Sequence, residues 1–178
     1  MTKTFINTGP GRFLYFAYGL NLQSAYMKRA APTAVRKGTG CLCGYRVDFV
    51  RKNKKWKGAM ATIVPHKGQQ VFGAIWEIKN TDQNSLYRFN GVYSNYFYPR
   101  TVNVRHLEID KLVNCIVFIQ NAVVPTYIKH VRLPPARQPS EFYMQELMRG
   151  ARESKLPILA QIYAQVKTNG KDYDEFLD

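Results

Sequence analysis

The opening of the chain combines an apolar run with a helical pattern. The run Phe13-Leu-Tyr-Phe-Ala-Tyr18 is strongly aromatic and ends at Gly19, which predicts a buried first strand and a tight turn. Good helix formers then fill residues 22–30 and stop before Pro32, since the residue ahead of a proline disfavours the helical backbone region. The chain is therefore expected to open with a strand, a glycine loop and a helix.

Apolar runs and alternating positions predict further strands through the middle of the chain. Pro65 is expected to end one of them, and Gly68 to lie in a hairpin turn over residues 66–70, so that the next strand returns beside it. A basic loop occupies residues 51–57. The strands are predicted at residues 44–50, 59–64, 71–78, 100–104 and 114–120.

Helical patterns occupy a short middle segment and most of the C-terminal part. Residues 80–89 predict a short helix that ends at Asn90-Gly91, since glycine is favoured just after a helix. After a proline-rich loop, helices are predicted at residues 140–149 and from Pro157 to residue 167. Short connections favour antiparallel pairing. The predicted fold class is therefore α+β, a mixed and partly closed β-barrel with flanking helices.

Length and composition support one domain. With 178 residues and 46% hydrophobic content, we expect a single domain over residues 13–178 after an N-terminal extension of residues 1–12. No run of about 20 apolar residues and no secretory-signal pattern is found, which predicts a cytoplasmic protein without membrane contact. Cys41, Cys43 and Cys115 and the scattered histidines lack metal-ligand spacing, so we expect no metal and no cofactor.

Several short motifs, in order along the chain, resemble those of the γ-glutamylcyclotransferase (AIG2-like) family. Each motif alone is weakly specific, but together they cover residues 13–173, nearly the whole chain, and imply that family's fold. The motifs are Phe13-Leu-Tyr-Phe-Ala-Tyr-Gly-Leu-Asn-Leu22, Trp56 with Gly58-Ala-Met-Ala-Thr-Ile-Val-Pro65, Val71-Phe-Gly-Ala-Ile-Trp76, Asn84-Ser-Leu86 leading to Asn90-Gly-Val92, Pro134-Pro135, Tyr143, Gly150-Ala151 and Leu156-Pro157.

The resemblance implies an activity and a set of site residues. Members of the family convert a γ-glutamyl amino acid or peptide into 5-oxoproline and a free amine, a reaction connected to glutathione metabolism. The substrate's own α-amine attacks its γ-carbonyl, and the glutamate of an E-G-V motif moves the protons. The loop that follows the first strand supplies backbone N–H donors for the charge of the reacting group. The substrate contacts implied here are Tyr18, Gly19, Leu20, Asn21, Leu22, Tyr98 and Tyr143.

Asn90 stands where the family has its catalytic glutamate. An amide is neutral and cannot take up the ammonium proton, although it can hydrogen-bond a bound amine. Leu20 likewise replaces the loop serine of the family. Phe97 stands where the family has a tyrosine, and it is flanked by Tyr96 and Tyr98. The sequence therefore predicts a γ-glutamylcyclotransferase-like protein whose pocket binds γ-glutamyl amino acids and whose catalytic activity is reduced or lost.

Two alternatives stay open on the sequence alone. The chain is an active cyclotransferase if loop donors and substrate positioning suffice without the base. It is a basic anion- or nucleic-acid-binding module if its net charge of +14 and the loop at 51–57, which includes Trp56, bind phosphates and stack a base. Measurable 5-oxoproline release distinguishes the first alternative, and an affinity that falls steeply with salt distinguishes the second.

Overall fold

In the computed structural model, which describes residues 8–172, five strands form a closed barrel. Their order around the barrel is β1-β3-β2-β4-β5. Four neighbouring pairs are antiparallel, and β1 closes the barrel by pairing in parallel with β5 at Tyr15 and Ile116. The strands are β1 (Arg12–Ala17), β2 (Val35–Asn53), β3 (Gly58–Lys79), β4 (Phe97–His106) and β5 (Lys111–Gln120).

Helices flank this barrel, as the sequence predicted. Ser140 caps the longest one, because its hydroxyl accepts a hydrogen bond from the Tyr143 N–H at 3.2 Å. None of the described helices is long and apolar enough to cross a membrane. The α-helices are α1 (Ser24–Ala30), α2 (Gln83–Phe89), α3 (Glu141–Glu153) and α4 (Pro157–Ala164). The prediction of an α+β barrel with flanking helices is confirmed, and closure of the sheet by the β1–β5 pair goes beyond the partial closure expected.

The ends of the predicted domain are only partly described. Residues 1–7 of the predicted N-terminal extension and residues 173–178 of the predicted domain lie outside the described residues. Within residues 8–12, Arg12 already belongs to β1, where it pairs with Lys79 and its guanidinium contacts the Glu77 carboxylate at 2.9 Å. The barrel therefore begins one residue before the predicted boundary.

The predicted hairpin turn at residues 66–70 is wrong, because this part of the chain forms a bulge within one long strand. Tyr45 pairs with Pro65, and Cys43 pairs with Gln70, so residues 66–69 lie opposite Gly44 alone. Gly44 and Gly68 both have a φ of 82°, the left-handed region in which glycine is favoured. The bulge bends the strand without reversing it. The reversal between β2 and β3 lies instead at residues 54–57.

The segment after β1 is a short 3-10 turn, Leu20–Leu22, which α3 and α4 fix in place. The Tyr163 hydroxyl donates to the Tyr18 carbonyl, and the Ser154 hydroxyl donates to the Leu22 carbonyl at 3.0 Å. Gly150 lets α3 approach closely, since a Cβ added there would lie 2.7 Å from the Leu22 Cβ. The two ends of the turn are thus held by the C-terminal helices.

Replacing Gly150 with alanine tests this close approach. Overpacking costs about 1–3 kcal/mol, and alanine recovers up to about 1 kcal/mol as a better helix former. We therefore expect a net loss of about 1–2 kcal/mol in the free energy of unfolding, measured by urea denaturation. Gly9→Ala is the control, because a Cβ there meets nothing within 4 Å. Equal midpoints for the two variants would contradict the described packing.

Candidate functional site

A cavity of about 300 Å³ lies between the turn after β1, the end of α2 and one end of the barrel. Its wall is rich in aromatic and amide side chains, and none of its lining residues is an aspartate, glutamate, histidine or cysteine. The described residues also contain no group of three or more such side chains placed to hold a metal ion. The polar side chains of the wall are Tyr15, Tyr18, Tyr26, Tyr96, Tyr143, Asn21, Asn53, Asn90, Ser94, Arg29 and Lys55.

The structure brings most of the predicted site residues together on this wall. They come from the residues just after β1, the 3-10 turn, the C-terminal cap of α2 and the start of α3, so residues distant in sequence meet at one place. Their role as ligand contacts stays a prediction. The predicted residues that line the cavity are Tyr18, Gly19, Leu20, Asn21, Asn90 and Tyr143.

Two predicted site residues do not line the cavity. Leu22 is fully buried under Gly150 of α3, so it supports the turn from behind. Tyr98 lies on β4, where successive side chains point to opposite faces; Phe97 faces the cavity and Tyr98 does not. Tyr98 instead lines a separate depression on the barrel. The neighbouring Tyr96 does line the cavity, and the ligand contact of Tyr98 stays a prediction.

Asn90 occupies the C-terminal cap of α2 and the cavity wall at once. Its backbone N–H and its side-chain Nδ2 both donate to the Leu86 carbonyl, at 3.1 Å and 2.8 Å. Gly91 follows with a φ of 67°, which ends the helix as predicted. The Oδ1 atom of Asn90 accepts a hydrogen bond from Asn21 Nδ2 at 3.2 Å. Capping and cavity lining are therefore combined in one residue.

Asn21 connects the two sides of the site. Its Nδ2 donates to the Tyr15 hydroxyl at 2.9 Å as well as to Asn90. Asn21 is only 4% exposed, yet its other side-chain atom, Oδ1, has no hydrogen-bond partner among the described residues. A buried polar atom without a partner costs about 1–3 kcal/mol. A ligand donor placed against Asn21 would remove that cost.

The tyrosines of the wall are held in their neutral form. Burial raises the pKa of Tyr15, Tyr18 and Tyr143 well above the ordinary tyrosine value. Burial, reinforced by the Glu146 carboxylate, raises the pKa of Tyr26 to about 12. Burial likewise raises the pKa of Tyr96 to about 12, although Arg51 opposes this. Near neutral pH these hydroxyls donate and accept hydrogen bonds but do not act as bases.

One carboxylate, Glu146 of α3, lies directly behind the cavity wall. Its Oε2 accepts from the Tyr26 hydroxyl and from Gln23 Nε2, both at 3.0 Å, and its Oε1 lies 3.3 Å from the Arg149 guanidinium. Glu146 is buried and does not line the cavity. It is therefore separated from a bound ligand by the ring of Tyr26.

Sequence reasoning missed several members of the wall. Tyr15 lies on β1, which the sequence predicted only as a buried strand. The side of the strand on which Tyr15 lies could be assigned only once the barrel was known. Tyr26 and Arg29 stand three residues apart on α1, a spacing that places two helical side chains on one face. That spacing was a usable signal. Lys55 was predicted only as part of the basic loop at residues 51–57, and no sequence signal distinguished it from the other cations of that loop.

The buried hydroxyl of Tyr143 provides a test of the site's architecture. Tyr143→Phe removes the acceptor of the Ala61 N–H, 2.9 Å away, and leaves that buried donor unpaired. We expect a loss of about 1–3 kcal/mol in the free energy of unfolding. Tyr98→Phe, on an exposed face outside the cavity, should change it by less than about 0.5 kcal/mol. Similar losses in both variants would show that Tyr143 is not buried as described.

Comparison with known proteins agrees with the fold described above. The AIG2-like family matches residues 70–165. The γ-glutamylcyclotransferase of Homo sapiens is 30% identical over 157 residues, covering 85% of this chain and 77% of that protein, and the one of Bos taurus is 30% identical over 150 residues, covering 82% and 73%. A solved structure of γ-glutamyl cyclotransferase superposes with a TM-score of 0.77 at 27% identity, covering 93% of this chain and 95% of that one. This chain belongs to the γ-glutamylcyclotransferase family.

Proposed function

We propose that this chain binds γ-glutamyl amino acids or peptides in its cavity and that its cyclotransferase activity is lost or greatly reduced. The observation that carries the proposal is the composition of the wall. Asn90, which the sequence resemblance places at the position of the family's catalytic glutamate, lines a cavity whose other described lining residues include no carboxylate, histidine or cysteine. The cavity therefore offers polar contacts without a group that takes up a proton near neutral pH.

The missing group matters because of the first step of the family reaction. The α-ammonium of a γ-glutamyl substrate must lose a proton before its nitrogen can attack the γ-carbonyl carbon, and the leaving nitrogen must gain one. A positioned carboxylate performs both transfers. The amide of Asn90 does neither, and the raised pKa values of Tyr26 and Tyr96 keep those hydroxyls protonated. The bound ammonium would stay protonated and could not attack.

The same wall retains groups that suit a γ-glutamyl ligand. The Oδ1 atoms of Asn90 and Asn21 are acceptors for an ammonium group. Leu20 and Asn21 begin a 3-10 turn, and the first N–H groups of a helical turn have no partner within it, which favours a carboxylate. A volume of about 300 Å³ lies at the lower end of small-ligand sites and suits a dipeptide. Binding is therefore supported where turnover is not.

Nucleic-acid binding finds less support. Trp56, the aromatic residue of the basic loop, is 7% exposed, and its ring stacks on Phe142 at a centroid distance of 5.7 Å. Arg51 donates to the backbone carbonyls of Asn95 and Tyr96 and lies 4.2 Å from the centre of the Tyr96 ring. The Trp56 ring and the Arg51 guanidinium, which could otherwise stack on a base and bind a phosphate, are thus already packed against other residues of the protein.

Installing a carboxylate at position 90 tests the proposal. We expect Asn90→Glu to release 5-oxoproline from γ-glutamyl-alanine about 10²–10⁴-fold faster than the native chain, the usual contribution of a general base. Asn21 Nδ2 would then donate to the new carboxylate as it now does to Asn90. The measurement is 5-oxoproline release by chromatography under identical conditions.

Asn90→Gln is the matched control, since it has the length of glutamate without its charge. This variant should release 5-oxoproline no faster than the native chain. Native turnover at the rate of Asn90→Glu would contradict the proposal. The next group to test would then be Glu146, which could move a proton through the Tyr26 hydroxyl.

Binding without conversion is a second expected result. Calorimetry should detect γ-glutamyl-alanine on the native chain, and the recovered dipeptide should be intact. Asn21→Leu removes the hydrogen bonds to Tyr15 and Asn90, and it should weaken binding about 10–100-fold, equivalent to the loss of one or two buried polar contacts. The isomer with an ordinary α-peptide bond should bind much more weakly. Equal binding of both isomers would remove the γ-glutamyl assignment.

A further inference from the structure

Two cationic side chains, Arg29 of α1 and Lys55 of the β2–β3 turn, line the cavity. Each lies near an aromatic ring: the Arg29 guanidinium carbon is 5.9 Å from the centre of the Tyr26 ring, and Lys55 Nζ is 5.9 Å from that of Trp56. The two ring centres are themselves 6.1 Å apart. The two cations therefore belong to one stretch of the cavity wall.

Neither cation is neutralised by another side chain of the described residues. Within residues 8–172, Arg29 and Lys55 form no ion pair and no side-chain hydrogen bond, unlike Arg51, which donates to backbone carbonyls. None of the described residues that line the cavity is a carboxylate that could balance them. A cleft lined by one sign of charge attracts ligands of the opposite sign. The uncompensated charge thus faces a site that a ligand would occupy.

Burial places the cations at the outer end of the cavity. Asn21, Tyr15 and Tyr143 are almost completely buried, whereas Arg29 and Lys55 are exposed. If the γ-glutamyl half of a ligand lies deep, against Asn21 and Asn90, its second residue points outward. That second residue would then lie beside the two cations.

We propose that Arg29 and Lys55 make this cavity selective for γ-glutamyl ligands whose second residue carries an additional carboxylate, as in γ-glutamyl-glutamate. The inference rests on the proposed function and specifies its ligand class. The side-chain carboxylate of the second residue accepts hydrogen bonds from the Arg29 guanidinium and the Lys55 ammonium. Both cations keep water contact, so the gain is that of exposed ion pairs.

The test compares γ-glutamyl-glutamate with γ-glutamyl-glutamine, two ligands of nearly equal size that differ by one charge. Calorimetry on the native chain should show an affinity on the order of tenfold higher for γ-glutamyl-glutamate, the combined effect of two exposed ion pairs. The ratio should shrink as salt is raised, because salt screens exposed charges. The double variant Arg29→Gln with Lys55→Gln should bring the two affinities within about twofold of each other.

Lys54→Gln is the matched control, since Lys54 is the neighbour of Lys55 in the same turn but does not line the cavity. This variant should keep the native ratio, and thermal melts should show that all variants are folded. Equal affinities of the native chain for the two ligands would overturn the charge preference and leave γ-glutamyl binding intact. Absence of binding by both ligands would overturn the proposed function as well. A ratio lowered equally by Lys54→Gln would assign the preference to overall charge and overturn the role of Arg29 and Lys55.

Discussion

The hydrogen bonds of Asn21 join the two sides of the site, and the rest of the cavity depends on them. Asn21 Nδ2 reaches Tyr15 on the first strand and Asn90 at the end of α2, so the barrel and the helix end are linked by one side chain. Asn21 and its two partners are all neutral. Under the proposed function, the amide of Asn90 keeps this structural contact but does not supply the proton transfer that a carboxylate at position 90 would add.

The surrounding fold holds this arrangement firmly. Tyr163 of α4 and Ser154, just after α3, fix the two ends of the turn that contains Asn21, and Gly150 lets α3 pack directly on Leu22. The Tyr143 hydroxyl accepts the Ala61 N–H inside the barrel. These contacts stabilise the fold whether or not the chain catalyses a reaction. They hold in place a cavity that is lined by Asn21 and two cations, whose Oδ1 atom and charges have no partner within residues 8–172.

The parts of the fold that sequence predicted well are those set by local preferences. The strand–turn–helix opening and the end of α2 at Asn90-Gly91 follow from apolar runs and from glycine after a helix. The bulge at Gly68 was mistaken for a turn, because one glycine signals either and only the pairing of β2 with β3 decides. Tyr98 was expected among the substrate contacts, whereas Tyr96 is the one of the two that lines the cavity, because the face of each residue depends on where β4 begins. The sequence did not place Lys55 on the cavity wall or Glu146 behind it, because both positions arise only from tertiary packing.

A crystal structure of the native chain soaked with γ-glutamyl-alanine would show directly whether the cavity binds the dipeptide without converting it. We expect an intact dipeptide in the cavity, with its α-nitrogen within hydrogen-bond distance, about 2.7–3.2 Å, of Asn90 Oδ1. Electron density for 5-oxoproline in place of the dipeptide would show that the chain completes the reaction without a carboxylate at position 90. A dipeptide bound elsewhere would contradict the assignment of the cavity.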